Sequence, residues 1–121
     1  KGYRDYGHDI DNTDSVLEAG LGFAVDLKKP GGFIGKEAVV AKKNHGPLKR
    51  RLLQGLVKDP LPMLFHAEPV LRNGKPVGYV RAASYGHSLG GAVGLAMIDA
   101  GADVLDFAHD TGIPRGRSVL P

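Results

Sequence analysis

Asp9, Asp11 and Asp14 stand at a spacing that invites a calcium-loop reading, in which carboxylates at alternate positions converge on a hard cation. Counting from Asp9, however, Thr13 holds the third ligand position, Asp14 the obligatory glycine position, and Gly20 the position of the bidentate glutamate. A turn held by Asx side chains is the better expectation. Two glycine clusters, Gly31-Gly32 with Gly35 and Gly90-Gly91 with Gly94, lack the lysine and hydroxyl residue of a phosphate loop and the strand-to-helix setting of a dinucleotide fingerprint. They read as turns or bulges. Ser84 and His87 suggest a hydrolytic pair, but a nucleophile elbow needs glycine where Ala82 stands. His66 with Glu68, and His109 with Asp110, lack the spacing of a metal site. These residues supply no catalytic set and no metal-ligand set.

The elements that position them are short. The chain has 121 residues, 42% of them apolar, with 18 glycines and 8 prolines. Frequent turns and few long helices follow, and a β-rich fold is expected. Lys1 to Asp14 is polar and loop-like, and Ser15 or Asp14 is placed to cap a helical turn through Val16, Leu17 and Glu18. Leu21, Phe23 and Val25 alternate with small residues, which predicts a strand buried on one face. A helix is expected from about Gly35 to Asn44, with Ile34, Ala38 and Ala41 on its apolar face and a stop at Gly46-Pro47.

Beyond Pro47 the period becomes two. Leu52, Leu53, Leu56 and Val57 suggest one strand, and Val70-Leu71 faces Val77, Tyr79 and Val80 across Asn73-Gly74, a dipeptide suited to a tight hairpin. Ala92 to Asp99 forms a further strand in which Gly94 marks a bulge or bend. Such spacing suggests a small barrel. Gly101 to Phe107 reads as a short helix or a strand, and Ile113 to Pro121 as a tail.

The charge of +3 gathers at Lys28-Lys29 and between Lys42 and Arg51. A solvated face is the ordinary reading; no basic stripe with exposed aromatics or nucleic-acid motif is present. A small polyanion can use a patch of this size. Without cysteine, disulfides and thiolate chemistry are excluded. No apolar run approaches the length of about 18 residues expected of a membrane span. Neither a nucleic-acid nor a membrane partner is expected.

Five ordered blocks carry a resemblance: Gly2 to Asp11 (GYRDYGHDID), Glu18 to Val25 (EAGLGFAV), Phe33 to Ala38 (FIGKEA), Asn73 to Val80 (NGKPVGYV) and Gly90 to Ala96 (GGAVGLA). Together they resemble the glycine-cleavage T-protein, or aminomethyltransferase, family, and especially its branch fused to sarcosine and dimethylglycine dehydrogenases. The resemblance implies a mainly β fold, α+β overall: a small antiparallel barrel preceded by a strand-helix segment. On that view residues 1–46 end a folate-binding domain and residues 47–121 form the carboxy-terminal barrel, with a tail from Asp106 that departs from the family pattern.

The implied function is one-carbon transfer from glycine, sarcosine or dimethylglycine-type amines to tetrahydrofolate. The family's organising aspartate and its pterin-contacting glutamate fall before Lys1, so no catalytic residue is assigned in this chain. Tyr6, Lys28 and Lys29 are the residues that the resemblance places at the folate site, the lysines where the family often has an arginine. Flavin (FAD) would belong only to an upstream domain. The implied partners are a folate-type molecule, the upstream domains of the parent chain and a second copy through open barrel edges. The implied compartment is the bacterial cytoplasm, or the mitochondrial matrix in a eukaryote. The rival expectation is a non-catalytic barrel that serves as an interaction or oligomerisation module.

Overall fold

The computed structural model describes residues 2–99. Its helix, α1 (Lys36–Asn44), starts where Gly35 adopts a left-handed N-cap (φ 84°). Glu37 lies in its first turn and Lys42 and Lys43 in its last, each complementing the helix dipole. Gly46, at φ 108°, and Pro47 end it as expected. The burial does not follow the expected face. Ile34 is fully exposed, Ala38 and Ala41 are exposed, and no residue of α1 is buried. In this nine-residue helix Val39 and Val40 are half-buried, and Lys42 ties it to Glu18.

The segment Leu21 to Val25 is a second correction. Gly22–Ala24 forms a 3-10 turn, with Ala24 N–H donating to the Leu21 carbonyl (3.0 Å) and Val25 N–H to that of Gly22 (3.2 Å). Glycine at positions 20 and 22 lowers strand preference, and Gly20 enters at φ 70°, so local bonds prevail over extension. Phe23 consequently stays exposed.

Four strands follow: β1 (Arg51–Leu56), β2 (Pro69–Arg72), β3 (Lys75–Gly86) and β4 (Gly91–Ile98). They form one antiparallel sheet in the order β1-β4-β3-β2. Asn73 (φ 51°) and Gly74 (φ 75°) supply the paired positive angles of the expected β2–β3 hairpin. Among the described residues the sheet is open, with β1 and β2 at its edges. The β1 edge is partly covered, because Leu52 N–H donates to the Glu18 carbonyl at 2.8 Å. The expectations for Gly101 to Phe107 and Ile113 to Pro121 lie outside the described residues.

The bulge foreseen at Gly94 falls on the facing strand. The β3–β4 register shifts between Val80 and Ala82, so Arg81 is the extra residue. Gly94 instead permits close packing, since a Cβ there would lie 2.7 Å from Leu64 Cδ2. One sheet face carries Leu52, Leu95 and Met97, against which Ile10 and Ala82 pack. This small core clamps the segment before α1 onto the sheet.

Candidate functional site

Between the sheet and the amino-terminal segment, side chains of both signs assemble around the Arg81 bulge. Arg81 is nearly buried and grips Asp14 with a fork: Nη1 lies 2.5 Å from Oδ2 and Nη2 3.1 Å from Oδ1. The same Nη1 donates to the Asp9 carbonyl at 3.1 Å. Arg50 reaches Asp14 Oδ1 (3.3 Å), Glu18 Oε1 (3.5 Å) and the Thr13 carbonyl (2.9 Å). Lys42 of α1 closes on Glu18 Oε1 at 2.9 Å. Bonding to Asp14 raises the Arg81 pKa above its ordinary value against the opposing effect of burial. Part of the basic run thus faces inward, as counter-charge.

Ser15 and Glu18 form a reciprocal capping box. Glu18 N–H donates to Ser15 Oγ (3.2 Å) and Ser15 N–H to Glu18 Oε2 (3.0 Å), while Ala19 N–H reaches the Ser15 carbonyl. This is the helical turn expected after Ser15. Burial by itself would raise the Glu18 pKa, but bonds from the Ser15 amide, Lys42 and the Ser15 hydroxyl, with the charge of Arg50, hold it at about 2 against an ordinary 4.5. A depressed carboxylate stabilises the fold in full above its unfolded-state pKa and loses that contribution as pH falls through the folded value. Unfolding by urea between pH 5 and pH 2 should therefore show a loss on the order of 3 kcal/mol from this group. Glu18→Gln should remove that acid-dependent part, and an unchanged acid profile in the variant would refute the assignment.

The residues named for the folate site are not members of this cluster, although the turn of Tyr6 touches it through the Asp9 carbonyl. Tyr6 lies on a tight turn: Asp9 N–H donates to the Asp5 carbonyl at 2.8 Å, Gly7 N–H to that of Ile10 at 2.7 Å, and Asp5 N–H to Asp9 Oδ2 at 2.9 Å. Tyr6 bridges to Ile10 and is 70% exposed. Lys28 and Lys29 sit on the turn after Asp26, whose Oδ1 accepts Lys28 N–H at 2.9 Å, and both are exposed. No hydrogen bond or ion pair among the described residues joins Tyr6 to either lysine.

Asp11 accepts Thr13 N–H (2.7 Å) and Thr13 Oγ1 (2.6 Å), the Asx turn expected of this stretch. Those bonds, the side-chain one first, lower its pKa. Among the described residues no group of three or more histidine, aspartate or glutamate side chains is arranged to hold a metal. His8 Nδ1 lies 2.7 Å from the buried Asp9 carboxylate. The rings of Tyr85 and His87 meet edge to face on a groove of about 660 Å³, which Tyr3, Asp9, Gln54 and Ser84 also line. On the opposite sheet face an apolar cavity of about 380 Å³ is lined by Leu53, Leu56, Leu64, Val80 and Ile98. Among the described residues no helix is long and apolar enough to cross a membrane.

Residues 50–119 match the glycine cleavage T-protein C-terminal barrel domain. The chain belongs to that family. It is 44% identical over 104 residues to 4-methylaminobutanoate oxidase (formaldehyde-forming) of Paenarthrobacter nicotinovorans, covering 86% of this chain and 12% of the relative. It is 36% identical to the aminomethyltransferase of Listeria innocua, covering 94% of this chain and 31% of the relative. With human mitochondrial sarcosine dehydrogenase the identity is 44% over 89 residues, or 74% of this chain and 10% of the relative. The chain therefore spans a third or less of these curated relatives. The crystal structure of aminomethyltransferase T from Bartonella henselae shares the fold, with a TM-score of 0.68 at 23% identity over 81% of this chain and 27% of that one.

Arg81 is not among the residues singled out from the sequence, and Asp14 and Glu18 are expected there at a cap and a helical turn rather than in an ionic cluster, although signals for the cluster exist. Arg81 interrupts the otherwise uncharged run Val77 to Gly86, where a strand charge needs a partner. Ser15 and Glu18 have the spacing of a capping box. The pairing of Asp14 with Arg81 has no local signal, because the two lie 67 residues apart.

Proposed function

We propose that this chain is the carboxy-terminal portion of a tetrahydrofolate-dependent aminomethyltransferase-like protein, which passes a one-carbon unit from an amine to tetrahydrofolate. The observation that carries this reading is the family match over residues 50–119, joined by amine-oxidising and aminomethyltransferase relatives. Residues 1–46 would close a folate-binding domain and residues 47–121 the barrel beside it. Catalytic residues, and flavin in a dehydrogenase-type parent, are ascribed to upstream domains. The compartment would be the bacterial cytoplasm or the mitochondrial matrix.

The residues at hand fit folate chemistry. The exposed ring of Tyr6 offers an apolar face with a polar tip, suited to a flat heteroaromatic ligand. Lys28 and Lys29 are exposed cations able to attract the carboxylates of a glutamate tail. Their roles are to bind and orient, with no proton or one-carbon step assigned to them. Calorimetric titration with 5-formyltetrahydrofolate should give saturable binding, weakened roughly three- to tenfold when both lysines become alanine, as expected for two exposed ion pairs. Added salt should narrow that difference, because such pairs are screened. Absence of saturable binding would overturn the folate reading of this chain.

A second reading rests on the exposed apolar side chains Phe23, Ile34, Leu61 and Phe65, which suit a packing surface for other domains or a second copy. Sedimentation at high concentration separates the two: a folate-binding monomer supports the first, and a non-binding oligomer the second.

A further inference from the structure

We infer that Arg81, a barrel residue remote in sequence from the folate-site candidates, is a positioning residue for the turn that presents Tyr6. This rests on the proposed role of Tyr6 in folate binding. The turn is fixed from within. Asp9 is held to Asp5 twice, through its own N–H and through its carboxylate. Tyr6 lies inside that closed loop and bridges to Ile10. Two anchors tie the loop to the sheet: Ile10, packed on Leu52, Leu95 and Met97, and the Asp9 carbonyl, which accepts from Arg81 Nη1.

The Ile10 contact is apolar and non-directional. The Arg81 contact is directional, and the guanidinium itself is aimed by its fork on Asp14. The backbone also points to placement as the reason for the residue. Arg81 occupies a bulge, which re-aims one side chain out of the strand's alternation. Its Nε is buried without a hydrogen-bond partner. Replacing a buried ion pair by apolar side chains is often neutral or stabilising, so stability alone gives little reason for a charge here. An apolar residue cannot hold the Asp9 carbonyl and the Asp14 carboxylate in one rigid plane; lysine can reach one of them as a point charge but lacks the fork.

The test combines ligand affinity with amide hydrogen exchange in the full chain. Arg81→Lys should raise the Kd for 5-formyltetrahydrofolate about three- to tenfold, the cost of losing one hydrogen bond that orders the site. It should also accelerate exchange at the Asp9 and Ile10 amides. Tyr6→Ala should raise the Kd roughly tenfold, and the double variant should be no worse than Tyr6→Ala alone, because both act through one contact. Additive losses, or an unchanged Kd in folded Arg81→Lys, would overturn the inference. If Arg81→Lys does not fold, Asp14→Asn replaces it, keeping the volume while removing the charge that aims the fork, with the same outcomes required. If Tyr6→Ala leaves the Kd unchanged, the folate role of Tyr6 falls. Exchange then decides the remainder: faster exchange in Arg81→Lys supports positioning of the turn, and unchanged exchange refutes it.

Discussion

Asp14→Ala should destabilise the protein by about 3–5 kcal/mol, the range for removing one member of a buried ion pair. The Asp14 side chain is 1% exposed and that of Arg81 7% exposed. Removing the carboxylate leaves an enclosed guanidinium with the neutral Asp9 carbonyl and Tyr79 beside it and no anion on its fork. It also removes the Asp11 N–H acceptor (3.1 Å) and one partner of Arg50. Arginine cannot shed its proton to escape the cost, since a guanidinium stays charged at any pH at which the protein folds. The double variant Asp14→Leu with Arg81→Met should lose less than Asp14→Ala, because it buries no uncompensated charge. Denaturant unfolding measures both. A loss below about 1 kcal/mol for Asp14→Ala would mean that the cluster behaves as a surface pair.

Gly78→Ala should cost about 3 kcal/mol or more, at the upper end of what overpacking produces. Gly78 faces Ile98 in the β3–β4 ladder, and a Cβ there would stand 2.0 Å from the Met97 carbonyl oxygen and 3.0 Å from Ile98 Cα. These are backbone atoms. Relief requires the two strands to separate at the position where β3 is also paired with β2. Thermal unfolding of the variant should show a lowered midpoint, with Gly74→Ala as a contrast: no atom lies within 4 Å of its added Cβ, so only its positive φ is strained. Equal effects at the two positions would argue against the close approach.

The β half of this fold was legible because its signals are local. Asn73-Gly74 between alternating residues specifies a hairpin whatever surrounds it, and Gly35, Gly46 and Pro47 bracket α1 in the same way. Burial was less legible. Ile34, Ala38 and Ala41 share a helix face, yet periodicity cannot say whether anything covers that face. Leu21 to Val25 alternates like a strand, but two glycines and the absence of a pairing partner among the described residues favour a 3-10 turn. Of the candidate site, Tyr6, Lys28 and Lys29 are exposed and their folate role is a proposal, whereas the charge cluster depends on tertiary pairing across 67 residues. No window of sequence contains that information.

The match to the barrel domain begins at residue 50, yet the counter-charge of Arg81 is at Asp14 and the cover of the β1 edge at Glu18. The barrel domain and the unit that free energy requires therefore have different borders. A graft of residues 50–119 into a new host would carry a buried cation without its anion and an uncovered strand edge. A recombinant built from this chain keeps its balance by moving the two stretches together, or by replacing Arg81 when they are separated.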